Sequence, residues 1–210
     1  MKYKLSFIFL TLILLCLSSV YAQEPANIVF IGKASVVDDS GSVADSVFID
    51  DLLAEGYSVT YTYPFAGSLA GASQGYIDTL NNADLVIIGR SGSSGDFDGA
   101  DKPAWNALTS PVLLISPWMI RSNRLDWVQS TSIPHVNQAP DTVVAKISLP
   151  DDGVFADATL AADSSMDWAY APHDVLEETD GGNGTVLARD ASNSNILFIR
   201  WDPWTYYYEG

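Results

Sequence analysis

The sequence holds a single cysteine, Cys16, two histidines, and only 10 basic side chains against 26 acidic ones in 210 residues. Each scarcity excludes something. A net charge of −16 leaves no basic face for a phosphate backbone, which removes a nucleic-acid role. Cys16 lies in an amino-terminal segment, residues 1–22, laid out as a secretory signal peptide. Lys2 and Lys4 precede an apolar stretch from Leu5 to Leu17, and Val20-Tyr21-Ala22 then offers small residues ahead of Gln23. The stretch is short for a bilayer span and no basic stop signal follows it. Leu15 stands before Cys16 where a lipoprotein would have a small residue. Cleavage would leave 8 cations against 26 acids, a charge of −18. The expected mature protein is secreted, periplasmic or at the cell surface. It has no membrane span, disulfide, thiol nucleophile or thiolate metal site. Glutamate is scarce too, 5 against 21 aspartates, as suits a solvated acidic surface.

What is present is apolar. Hydrophobic residues make up 48% of the chain, with 8 Phe, 6 Trp and 10 Tyr among them. That excludes extended disorder and supplies one domain's core, expected over residues 23–210. Asn27 to Gly32 is a continuous apolar run, typical of a strand covered on both faces. Gly41 to Glu55 reads as a helix, with Phe48, Ile49, Leu52 and Leu53 on one face and Asp45 suiting its first turns. Gly56 stops it. Strands are then expected at Tyr57–Tyr63, Asp84–Gly89 and Pro111–Ser116. Helices are expected over Ser73–Asn81 and from Asp101, which can cap a first turn containing Pro103. This alternation predicts an α/β fold: a three-layer, flavodoxin-like, mostly parallel sheet in the order 2-1-3-4. Beyond Trp127 the pattern changes. Thr142–Ser148, Gly153–Leu160, Thr185–Arg189 and Asn195–Trp201 read as strands, with a hint of helix near His173. This half is expected to complete the same domain with some antiparallel strands. The chain closes on Trp204 to Tyr208, an aromatic end suited to packing, in keeping with a protein that continues beyond Gly210.

Three segments carry a resemblance. Ile28-Val-Phe-Ile-Gly32 opens the sheet, Ala83-Asp84-Leu-Val-Ile-Ile-Gly89 forms its third strand, and Val186-Leu-Ala188 leads into Ile196-Leu-Phe-Ile199. In this layout the chain resembles the class I glutamine-amidotransferase-like superfamily, including its ThuA-like branch. Such enzymes place a cysteine nucleophile in a tight, glycine-flanked turn after a strand. The corresponding turn here is Ile115-Ser116-Pro117-Trp118, with neither cysteine nor glycine. The resemblance therefore implies a secreted, non-catalytic relative rather than an amidotransferase.

Ligands of open parallel sheets sit at the carboxyl ends of the strands, beside the topological switch point. The loops leaving strands one, three and four contain Lys33, Arg90, Arg121 and Arg124, half of the mature chain's cations. Guanidinium groups bind carboxylate, sulfate or phosphate in bidentate fashion. Ser35, Ser91, Ser93 and Ser94 add hydroxyls, and Trp118 offers a ring to a sugar face. These residues predict a binding site for a small anion or an anionic saccharide. The competing structural account pairs the same cations with the aspartates of their own loops.

A hydrolase acting on esters or glycans is the alternative. Ser35, Ser91 or Ser116 would be the nucleophile and His135 or His173 the base. No G-x-S-x-G elbow supports it. Asp96, Asp98 and Asp101 offer oxygen ligands for Ca²⁺, at a spacing that is not the EF-hand pattern. The Gly89–Gly95 loop lacks both the dinucleotide and the Walker signatures, so no cofactor is expected. Asn183-Gly-Thr185 is a glycosylation sequon, and Trp201, Trp204 and Tyr206 to Tyr208 could present a carbohydrate platform or a packing edge.

Overall fold

A computed structural model describes residues 24–32, 45–62, 68–136, 142–170 and 173–207. The expected signal peptide, and Lys33 and Ser35, lie outside them. The chain is α/β, built from a four-stranded parallel sheet and a separate four-stranded antiparallel sheet.

The parallel sheet contains β1 (Asn27–Ile31), β2 (Ser58–Thr62), β3 (Leu85–Ile88) and β4 (Val112–Leu114), in the order β2-β1-β3-β4. Its central strands are the continuous apolar runs. Val29 and Phe30 of β1 are fully buried, as is Val86 of β3. Successive residues of these strands face opposite sides, and each side has its own cover. Ile28, Phe30 and Ile87 meet Ile49 and Leu52 of α1 (Ser46–Ala54). Val29, Ile31, Val86 and Ile88 meet Leu80 of α2 (Gln74–Asn81) and Trp105 of α3 (Asp101–Asn106). The larger cluster also takes in Met119 of α4 (Pro117–Ile120) and Leu125.

The helix ends follow local chemistry. Ser73 accepts from the Tyr76 amide at the start of α2. At the end of α1, Gly56 has φ +89°, and the amides of Gly56 and Tyr57 bond to the carbonyls of Leu53 and Leu52. That is a Schellman ending, which a glycine adopts without Cβ strain. Two expectations for helix starts fail. Asp45 precedes α1 in a left-handed conformation, φ 74°, with its side chain turned away from the helix it adjoins. Asp101 lies inside α3 and accepts from Ser68 Oγ and the Ala70 amide, both at 2.8 Å, so it fastens an earlier loop rather than capping its own helix.

The second half differs more from expectation. β6 (Thr142–Ile147), β7 (Ser165–Tyr170), β9 (Thr185–Asp190) and β10 (Ile196–Arg200) form their own sheet, in the order β10-β9-β6-β7, instead of extending the parallel one. No strand spans Gly153–Leu160. The Asp152 carboxylate captures the Val154 amide and turns Gly153–Phe155 into a short 3₁₀ segment. Nor is there helix near His173: β5 (His135–Val136) and β8 (His173–Asp174) pair as a two-stranded ribbon. Ala145, Ile147, Phe155, Leu187 and Ala188 form the core of the antiparallel half. Trp127 stacks on Tyr207, with ring centroids 5.4 Å apart, and lies 5.9 Å from Trp201. Those rings join the end of β10 to the parallel half. Among the described residues, no helix is long and apolar enough to cross a membrane.

Candidate functional site

The sheet order changes direction between β1 and β3, and of the described residues singled out in the sequence, Arg90 and Ser91 follow the carboxyl end of β3. The place is partly filled by the chain itself. Asp45, whose side chain is fully buried, accepts from the Arg90 amide at 3.2 Å, from Arg90 Nε at 3.1 Å and from the Ser91 amide at 3.1 Å. Gly89 permits the approach, because a Cβ there would stand 2.5 Å from Asp45 Oδ2 and 2.7 Å from the Phe30 ring. Arg90 is thus charge-paired at Nε while most of its side chain stays exposed, and its guanidinium carbon lies 5.4 Å from the centre of the Phe48 ring.

A second cluster follows β4. Ser116 precedes α4, and the short helix presents Trp118 and ends at Arg121. Arg121 is buried, only 9% exposed. Its Nε donates to the Trp118 carbonyl at 2.9 Å, and Nη2 reaches Ser94 Oγ at 3.4 Å. Its guanidinium carbon lies 4.8 Å from the centre of the Trp118 ring, a cation–π contact. Among the described residues no carboxylate pairs with it. Burial, and then repulsion from Arg124, hold its pKa below the usual arginine value. It remains a cation. Arg124 contacts Asp98 at 3.4 Å and donates to the Asn123 carbonyl, and its Nε is buried with no hydrogen-bond partner.

Trp118 extends the cluster outward. Its Nε1 donates to Asp174 Oδ2 at 2.6 Å, and Asp174 Oδ1 meets His135 Nδ1, also at 2.6 Å. The β5–β8 ribbon sets this arrangement, since His135 and Asp174 are opposite each other in its register. His135 bonds to this carboxylate and, among the described residues, to no serine hydroxyl.

The structure therefore brings together Arg121, Arg124, Ser94 and Trp118, and it ties Arg90 and Ser91 separately to Asp45. Ser93 precedes the 3₁₀ segment Ser94–Phe97 and makes no side-chain cap there. Of the acids considered for Ca²⁺, Asp98 contacts Arg124 and Asp101 holds the Ser68–Ala70 loop. Among the described residues no group of three or more His, Cys, Asp or Glu is placed to hold a metal ion. Asp45 and Asp174 escape a sequence reading because their partners are 45 and 39 positions away. Compared with family models, with curated proteins and with solved structures, the chain matches none.

Proposed function

We propose that this chain is a secreted, non-catalytic binding module, flavodoxin-like in layering and amidotransferase-like in shape, which takes a small anion or an anionic saccharide beside Arg121. One observation carries the reading: a buried guanidinium that pairs with no carboxylate among the described residues, next to a second guanidinium whose Nε lacks a partner. A charge removed from water costs several kcal/mol unless it is compensated. Asp98 compensates Arg124 in part, but the Arg124 guanidinium still repels that of Arg121, and an anion would pair with Arg121 and relieve that repulsion. Ser94 adds a hydroxyl, and the partly exposed Trp118 ring adds an apolar face. The parallel order β2-β1-β3-β4, with α1 on one face and α2 and α3 on the other, supports the flavodoxin-like layering. The amino-terminal segment supports export.

The hydrolase alternative draws on the His135–Asp174 pair, which resembles the base and orienting acid of a triad. The missing link is the hydroxyl, because His135 meets no serine among the described residues.

Thermal melts with sulfate, phosphate, glucuronate and sulfated sugars test the proposal. A ligand at a hundred times its Kd adds about 2.7 kcal/mol, roughly 5–10 °C for a domain of this size. The shift should vanish in Arg121→Gln and persist in Arg90→Ala. A flat panel overturns the proposal, and hydrolysis of nitrophenyl esters lost on His135→Ala would replace it with the alternative.

A further inference from the structure

A second surface lies at the other end of the aromatic cluster. Trp204 is 93% exposed and Tyr206 is 83% exposed, the two most exposed large hydrophobic side chains among the described residues. They sit on a tight turn. The Thr205 amide bonds to the Asp202 carbonyl at 3.2 Å, Pro203 fixes the first corner, and Trp204 takes the second with φ 65°. A proline corner followed by a positive φ defines a type II turn, whose second corner favours glycine. Tryptophan there costs roughly 1 kcal/mol of backbone strain. Its ring, almost wholly in solvent, returns nothing to the fold.

The turn is nonetheless held firmly. Tyr207 packs against Trp127 and Trp201, at ring-centroid distances of 5.4 and 5.3 Å. Asn183 donates from its amide to the Tyr207 carbonyl and from Nδ2 to the Tyr206 carbonyl. Two rings are thus displayed on a braced backbone, which lowers the ordering cost of binding.

The surrounding chemistry selects the partner. Residues 201–207 contain one acid, Asp202, and no cation, in a chain of net charge −16. That disfavours anionic sugars, anionic lipid surfaces and nucleic acid. A neutral sugar fits, since its C–H face is apolar enough to lie on an indole while its hydroxyls can donate to a carboxylate such as Asp202. We infer that the Asp202–Tyr206 turn is a binding site for neutral polysaccharide, with Trp204 as its stacking ring and Tyr206 as a second contact. This site is separate from the one proposed at Arg121.

Affinity electrophoresis of the full chain in gels containing xylan, mixed-linkage glucan, galactomannan or starch tests the inference. At least one polymer should retard migration. Trp204→Gly should weaken that retardation by about tenfold or more, with a melting temperature equal to or above that of the parent, because glycine relieves the strained corner. Tyr206→Ala should weaken it less, and Arg121→Gln should leave it intact. The inference is overturned if none of the four polymers retards the chain, or if Trp204→Gly migrates like the parent. A lower melting temperature for that variant also overturns it, by giving the ring a role in the fold. A smaller sedimentation coefficient without sugar does so as well, by making the turn a contact between copies.

Discussion

Replacing Asp45 by alanine removes one carboxylate that accepts three hydrogen bonds, two from backbone amides and one from Arg90 Nε. Hydrogen bonds to an ionised group contribute about 1.5–3 kcal/mol each. They are not additive here, because Arg90 is 62% exposed and water can replace its share. The two amides of the Arg90–Ser91 turn carry most of the loss, so the expected cost is about 3 kcal/mol. For a chain of this length that corresponds to roughly 6–12 °C in Tm. Backbone geometry adds a second, separable effect. At φ 74° alanine is strained and glycine is not, so Asp45→Gly should be less damaging than Asp45→Ala despite removing more of the side chain. Urea unfolding with an unchanged slope would give both values. Arg90→Ala provides the control, with an expected loss under about 1 kcal/mol. The reasoning is refuted if Asp45→Ala lies within about 1 kcal/mol of the parent. It also fails if Arg90→Ala is as costly, since the ion pair and not the amide contacts would then dominate.

Other consequences can be measured in the same way. Gly89→Ala drives a methyl group against Asp45 Oδ2 and the Phe30 ring. It should cost roughly 1–3 kcal/mol as an overpacking change, and part of that loss should disappear in an Asp45→Gly background, which a double-mutant cycle would detect. Asp152 is held below the usual carboxylate range, first by the Val154 amide and then by Arg200. Ser165 and then Lys146 do the same for Asp163. Both acids therefore stabilise the fold above the ordinary carboxylate pKa, and that contribution is lost as pH falls through the lowered folded values. Melting temperature should consequently drop more gently on acidification in Asp152→Asn than in the parent, and an identical acid limb would contradict the assignment.

Much of the parallel half is legible in the sequence because its signals are local. Ile28–Ile31 and Leu85–Ile88 are apolar on every residue, as strands covered on both faces must be. Ser73 and Gly56 mark helix ends through hydrogen bonds that span only a few residues. The antiparallel half is harder to read. Met166, Trp168 and Tyr170 carry a period of two, but Asp163-Ser-Ser and Asp167 give the same stretch the composition of a loop. Val154 and Phe155 look like strand residues until the side chain of Asp152 claims the Val154 amide. The candidate site divides along the same line. The cations at the strand ends are visible by position, whereas the neutralisation of Arg90 by Asp45 and the contacts of Arg121 with Ser94 and Trp118 depend on which distant loops meet. No periodicity encodes that.

The aromatic contact between the halves bears on the order of assembly. By Leu114 the ribosome has delivered all four parallel strands, and Trp127 follows soon after. Trp201 and Tyr207, the rings that cover it, emerge only after the whole second sheet has been made. During synthesis the first sheet can order its ladder while Trp127 remains uncovered, a waiting apolar surface for a chaperone or for the arriving chain. The ends of the two halves are fastened late, by rings rather than by a shared strand.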